Sequence, residues 1–373
     1  MVDHRRGQEQ PHLHDRPEPD QSAGPARRRG RRGVREAGPP GALPIVRTLS
    51  VLALLVAALV VSAAAGILVG AVAIGPRDVL AALFGSNDVN GTIIRELRLP
   101  RVLGAALVGG SLATAGALLQ GLLRNPLADP FVTGTSAGAT LAAVAAIVLG
   151  LAAPLVPLAA FAGALVTVTL VWRLARLGGG TTVLTVLLAG VVLTSFAGAV
   201  VTFLLVSSDR LALQLRAVLG WLQGGVSVIS WPELGVAAVI VAVGLGFALV
   251  LAHRVDAYAF GEETAATLGV DPDRTTTAVL GATALLSGAA VALAGLVGFV
   301  GLVIPHALRF VIGATHRRLV PASFLAGAAA LVLADLGSRT LIAPAELPVG
   351  AITGLIGAPF FLALLVRSRR IVV

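Results

Sequence analysis

The chain has 373 residues, of which 56% are hydrophobic and only 13% charged, and its formal net charge is +9. With a mean hydropathy of +0.91, this lies well outside soluble composition and reads as an all-α polytopic membrane protein, one membrane domain with a short tail. There is no cysteine, which excludes a disulfide framework or a thiolate metal site, and every Lys-or-Arg position is arginine; most lie in the tail or between apolar runs, where anionic lipid explains them better than nucleic acid does.

Residues 1–46 are rich in Pro, Gly, Arg and acidic residues and hold too little apolar surface to fold alone. They read as a disordered cytoplasmic tail, in which Arg27–Arg32 set orientation rather than bind nucleic acid. A long polar segment before the first apolar run excludes a cleavable signal peptide. The membrane domain takes the remainder, 47–373. Val51–Ile74 reads as span one, and Pro76–Gly85 as a short amphipathic piece. Span two lies in Arg95–Pro130, RELRLPRVLGAALVGGSLATAGALLQGLLRNPLADP, whose uncharged middle, Val102–Leu119, is long enough to cross a bilayer. Two prolines stop that helix, since proline donates no backbone hydrogen bond and restrains its predecessor.

Phe131–Trp172 is too long for one helix, and Pro154 and Pro157 divide it into spans three and four. Leu177–Ser208 holds span five, an amphipathic stretch follows from Asp209 to Trp231, and Leu234–Ala252 is span six. A charged loop, His253–Arg274, precedes Thr275–Leu308, which divides near Gly295–Gly298 into spans seven and eight. Leu319–Ala334 and Leu347–Val366 complete about ten spans. The positive-inside rule places both termini and Arg124, Arg173, Arg176, Arg254, Arg274, Arg317 and Arg318 in the cytoplasm.

That orientation leaves Arg77, Arg95, Arg98, Arg101, Arg210, Arg216 and Arg339 outside, and the Arg95–Arg101 cluster runs against the local rule. Two readings stand side by side: anchors that pair with Glu96 or lipid phosphate, or a docking surface for an acidic partner whose carboxylates meet arginine forks. Asp335 and Glu346 sit at span edges, and no span carries a charge at mid-depth, which argues against an ion-coupled carrier. Small residues such as Gly109, Gly110, Gly116, Gly134, Gly138 and Gly301 read as packing faces. A weak echo, Gly116 before Pro126 and Gly295 before Pro305, carries little weight in so Gly-rich a chain. In the charged loop, Gly261-Glu262-Glu263 opens a short helix with acid in its first turn, closed at Gly269. It is either an interfacial connector or a knob that another protein grips. His306 has no second ligand in reach and reads as structural. There is no GxxxxGK[ST] loop, nucleophile elbow or HExxH, hence no nucleotide cofactor, resident metal or catalytic group.

RLPR at Arg98–Arg101, QGLLRNPLADP at Gln120–Pro130, GTSAGA at Gly134–Ala139, GEETAATLGV at Gly261–Val270, GFVGLVIPHALR at Gly298–Arg309, LADLGSR at Leu333–Arg339 and ELPVGAITGLIGAPFF at Glu346–Phe361 occur in this order. Together they resemble the FecCD family of ABC importer permeases, over roughly residues 47 to 370. The resemblance implies a type II importer permease of ten helices, paired with a second permease, two ATP-binding subunits and an extracytoplasmic binding protein, importing a ferric siderophore, haem or cobalamin through the cell membrane. By motif position it makes Arg98, Arg101 and Arg339 the docking arginines. It makes Gly261–Gly269 the ATPase-coupling helix, with Glu262, Glu263, Ala265 and Leu268 as its contact residues. It also places Thr181 and Thr182 at an inner gate, where this chain departs from the usual pattern.

Overall fold

The computed structural model describes residues 45–70, 74–86, 88–177, 183–208, 211–226 and 230–369. Leu43–Val373 form one compact unit, and among the described residues every regular element is helical. Seven helices are long and apolar enough to cross a bilayer, and the apolar helices Thr135–Val148, Val300–Ile312 and Val349–Ala363 are shorter. The order is α1 Ile45–Leu68, α2 Pro76–Leu83, α3 Val89–Thr92, a π-helical stretch Ile93–Arg98 and α4 Leu99–Leu122. Then come a 3-10 turn Pro130–Thr133, α5 Thr135–Val148, α6 Leu155–Leu177, α7 Val183–Val206, α8 Leu211–Leu222 and α9 Trp231–Tyr258. The chain ends with α10 Glu262–Thr267, α11 Pro272–Ala294, α12 Val300–Ile312, α13 His316–Thr340 and α14 Val349–Arg369.

The long apolar runs divide where expected at Pro154 and at Gly295–Phe299, whereas Pro157 falls inside the first turn of α6, where a proline is tolerated. Helix ends differ. Span one sits six residues upstream of its expected start, at Ile45 rather than Val51, and so takes in the last residues assigned to the tail. It stops at Leu68 because arginines from other helices bond its terminal carbonyls. α9, α12 and α13 overrun their apolar runs, so Arg309 belongs to the last turn of α12. Residues 1–44 and Arg210 lie outside the described residues.

α4 is the centre of the bundle. Its apolar window is 83% buried inside the chain, against 11% for α1, so α4 packs on protein while α1 presents its leucines and valines outward. Small residues permit this. A Cβ on Gly109 would strike the Gly327 carbonyl of α13, and one on Gly116 would strike the Gly301 carbonyl of α12. Gly138 and Gly163 oppose each other in the same way where α5 crosses α6. Such contacts replace the hydrophobic driving force that helices lack within lipid. α5 and α12 have 14 and 13 residues, about 20 Å each at 1.5 Å per residue, too short for the ~30 Å hydrocarbon core. Their irregular lead-ins are tolerated because protein surrounds them: Gly301 meets Pro130 and Leu112, and the buried Gln120 side chain donates to the carbonyls of Ala128, Gly301 and Leu302 at 3.2–3.3 Å. Gln120 also accepts from Arg309, which joins two of the sequence motifs through one amide.

Gly116→Ala is expected to cost ~1–3 kcal/mol or more through overpacking, whereas Gly281→Ala, with nothing near its Cβ, is expected to be neutral or slightly stabilising. Thermal unfolding of the purified protein in one detergent compares the two directly.

Candidate functional site

α1 leaves its last carbonyls without intrahelical partners, and two of the arginines singled out from the sequence take them. Arg98 donates from NH1 to the carbonyls of Ile67 at 2.6 Å and Leu68 at 3.0 Å. Arg339, from α13, donates to those of Gly66 at 3.2 Å and Val69 at 3.4 Å. Positive charge at a helix C-terminus also complements the helix dipole. Gly70 fits against the Arg98 guanidinium, where a Cβ would lie 2.9 Å from NH2. The sequence does not disclose this capping, because its acceptors are backbone atoms about 30 and 270 residues away.

Arg101 lies one helical turn beyond Arg98 and makes different bonds. Its Nε donates to Asp335 Oδ1 at 3.0 Å, while NH1 and NH2 meet the two oxygens of Glu346 at 3.2 and 2.9 Å. Arg339 Nε stands 3.1 Å from Asp335 Oδ2, with its hydrogen directed at the Asp335 carbonyl oxygen at 3.4 Å. Asp335 is 1% exposed and joins the two arginines; Glu346, on the segment between α13 and α14, is 56% exposed. The structure thus brings Arg98, Arg101 and Arg339 to one end of the bundle and adds Asp335 and Glu346 to them. Arg98 and Arg339 are largely buried, whereas Arg101 turns a bidentate fork towards the exposed Glu346. The pairing of Arg101 with Asp335 was missed, although Asp335 and Arg339 sit one helical turn apart and the carboxylate had been noted at a span edge. A cleft of about 630 Å³ opens beside the fork, lined by Arg101, Glu346, Glu233, Trp221, Gln223 and Pro154 among others.

α10 lies at the opposite end of α4, a helix of 24 residues and about 36 Å. Gly261 precedes it with φ +102° and Gly269 follows with φ +82°, both easily reached by glycine. The Gly269 amide donates to Ala266 O and the Val270 amide to Ala265 O, each at 3.0 Å, the two bonds of a Schellman stop. Glu262 and Glu263 open the helix, as expected. Ala265, expected among the contact residues, is fully buried in the core cluster that holds Leu122 and Tyr258 and is unavailable to a partner. The helical turn that buries it exposes Glu263, Thr264, Ala266 and Leu268 beside an exposed Phe260. Phe260, Glu263, Thr264 and Ala266, with Arg124, Gly261 and Pro272, border a shallow recess of about 670 Å³. Nearby, the buried His316 packs against Gly121, and its Nδ1 lies 2.7 Å from Asp256 Oδ1. Asp129, between α4 and α5, accepts from the Phe131 amide at 2.9 Å, and burial pushes its carboxyl above the ordinary range. Thr181 and Thr182 lie outside the described residues. His306 packs edge-on against Phe310, and both its ring nitrogens are buried without a hydrogen-bond partner among the described residues.

Residues 54–367 match the model of the FecCD transport family. The chain belongs to this family. Among its relatives are the cobalamin import system permease BtuC of Halobacterium salinarum, 45% identical over 77% of this chain and 77% of that protein, and the hemin transport system permease HmuU of Yersinia pestis, 41% identical over 76% and 86%. The iron(3+)-hydroxamate import permease FhuB of Bacillus subtilis is 37% identical over 81% and 79%. Among solved structures, one described as an inward-facing conformation of a metal-chelate type ABC transporter superposes with a TM-score of 0.78 at 30% identity, covering 86% of this chain and 99% of that one. This FecCD protein is therefore a multi-pass membrane permease of the ABC-importer kind.

In the FecCD bundle, Asp335→Asn would leave Arg101 and Arg339 without their shared charge. The expected loss is ~3–5 kcal/mol, as for one partner removed from a buried pair. Glu346→Gln, at the exposed edge, should cost at most ~1 kcal/mol. Ala265→Leu should lower stability by ~1–3 kcal/mol through overpacking. Fluorescence-detected melting of the three variants measures each.

Proposed function

We propose that this chain is the membrane-spanning subunit of an ATP-driven importer that receives a bulky metal chelate from an extracytoplasmic binding protein and releases it into the cytoplasm. The chelate is a ferric siderophore or, as the names of the relatives suggest, a related haem or cobalamin. One observation carries the reading: an arginine-carboxylate rosette beside an open cleft stands at one end of the fully packed α4, and a stiffly capped short helix stands at the other. The first suits an acidic docking partner at Arg101, with Arg98 and Arg339 holding the rim on which it sits. The second suits a pair of ATPase subunits gripping Glu263, Thr264, Ala266 and Leu268.

The unpaired apolar faces of α7 and α14, with Leu188, Phe196, Phe203, Leu355 and Ile356 exposed, support a second permease subunit, identical or homologous, across the pathway. Arginines concentrated at the α10 end support a cytoplasmic position for that end and for both termini. The chain itself supplies no catalytic group to this scheme; ATP hydrolysis belongs to the separate subunits. Residues 1–44 serve as a polar cytoplasmic tail ahead of the membrane domain.

Uptake of ferric hydroxamate, haem and cobalamin, each radiolabelled, in a strain lacking its own importers tests the assignment. Expression of the permease with its ATPase and binding protein should restore accumulation of one of the three, and an ATPase variant unable to hydrolyse ATP should abolish it. Accumulation that persists without hydrolysis would instead identify a self-sufficient carrier. Leu268→Glu should reduce co-purification of the ATPase subunits at least tenfold with the permease still monodisperse, and unchanged co-purification would remove α10 from the coupling role.

A further inference from the structure

The two edges of the Arg101 guanidinium are held by carboxylates in very different surroundings. The Nε edge belongs to Asp335, 1% exposed on the rigid helix α13, while the NH1/NH2 fork belongs to Glu346, 56% exposed on the connection to α14. A bidentate fork is the strongest geometry arginine offers a carboxylate, yet Glu346 is 56% exposed against 18% for Arg101, so water competes for the carboxylate and the pair contributes little net stability. The geometry is strong and the hold is weak. The neighbouring carboxylate of the cleft, Glu233, is turned back to accept from the Ser230 amide at 3.0 Å in a capping box, so among the described residues Glu346 alone covers the fork. Arg98 and Arg339 donate to carbonyls at and just past the end of α1, which neither can release without uncapping that helix.

We propose that Glu346 is a displaceable occupant of the Arg101 fork, held there in the resting permease and exchanged for an acidic side chain of the docking binding protein, while Asp335 keeps the guanidinium aimed at the cleft throughout. The inference rests on the docking reading above and adds which of the three arginines exchanges partners and what it exchanges. Until the partner arrives, Glu346 satisfies the fork and keeps it oriented. The same pairing reduces affinity, because the incoming carboxylate must compete. Ion-pair exchange of this kind leaves the charge of the rosette unchanged and costs no buried, unpaired group at any step.

The test uses the complete importer, permease with ATPase subunits, in lipid nanodiscs, and as probe the purified binding protein that supports its uptake. Equilibrium binding is compared for wild type, Glu346→Gln, Arg101→Lys and the double variant. Lysine keeps a positive charge beside Asp335 but has no fork. Glu346→Gln is expected to tighten docking two- to five-fold, Arg101→Lys to weaken it at least five-fold, and the gain from Glu346→Gln to vanish in the Arg101→Lys background. Raising the salt concentration should narrow the difference between wild type and Glu346→Gln. Docking that is unchanged or weaker in Glu346→Gln, with Arg101→Lys still impaired, overturns the exchange while leaving the docking role of Arg101 intact. A gain that survives in the double variant also overturns it, since Glu346 would then act as general repulsion. Unimpaired docking by Arg101→Lys refutes the docking reading itself.

Discussion

A helix that ends at the edge of a bilayer exposes carbonyl oxygens that lipid cannot satisfy, and this requirement organises the arginine end of the molecule. α1 carries no charge beyond Arg47 and packs little surface against the bundle, so helix packing does little to fix where it stops. The stop comes from Arg98 and Arg339, which bond four consecutive carbonyls, those of Gly66, Ile67, Leu68 and Val69. Arg98 precedes α4 and Arg339 ends α13, so the same bonds hold the peripheral helix to the two most intimately packed ones. Local helix termination and global assembly are here one set of hydrogen bonds.

The second constraint is steric. α4 can stand at the centre only because Gly109 and Gly116 let the carbonyls of Gly327 and Gly301 approach where a methyl group would collide. Close backbone approach fixes the rotation of α4 and therefore the directions of Arg101 at one end and Gln120 at the other. The amide of Gln120 then gathers the irregular chain before α5 and the start of α12, supplying hydrogen bonds that neither segment could make alone. Two short helices are usable in a membrane because one buried side chain completes their backbones.

Much of this was legible in the residues. Spans, breaks and the short loop helix follow from apolar length, paired prolines and glycine caps, all local signals. What escaped reading was pairing over distance. RLPR and LADLGSR announce arginines at the edge of a span, but nothing in their spacing says that Asp335 stands between Arg101 and Arg339, or that carbonyls of α1 need two guanidinium groups. Ala265 was misplaced for a related reason. A six-residue helix shows its exposed face only once the core behind it is known, and an alanine suits either side equally well. The α1 boundary moved because its end is set by tertiary hydrogen bonds rather than by the apolar run.

These pairings also change what the charge distribution means. The Arg95–Arg101 cluster, away from the expected cytoplasmic side, runs against the positive-inside rule, and an exception invites a functional explanation for every arginine in it. The rule, however, concerns charges that face lipid headgroups and the membrane potential as independent ions. Arg98 caps α1, and Arg101, Arg339, Asp335 and Glu346 together carry no net charge, so Arg101 and Arg339 exert little field at a distance. A partner would sense the rosette only at close range, through the geometry of the one fork whose present occupant is exposed. On the docking reading proposed above, recognition at this end is a matter of fit to Arg101 rather than of long-range attraction to a basic patch, and a clustered arginine motif in a membrane protein is better sorted by what each guanidinium already bonds than by how many there are.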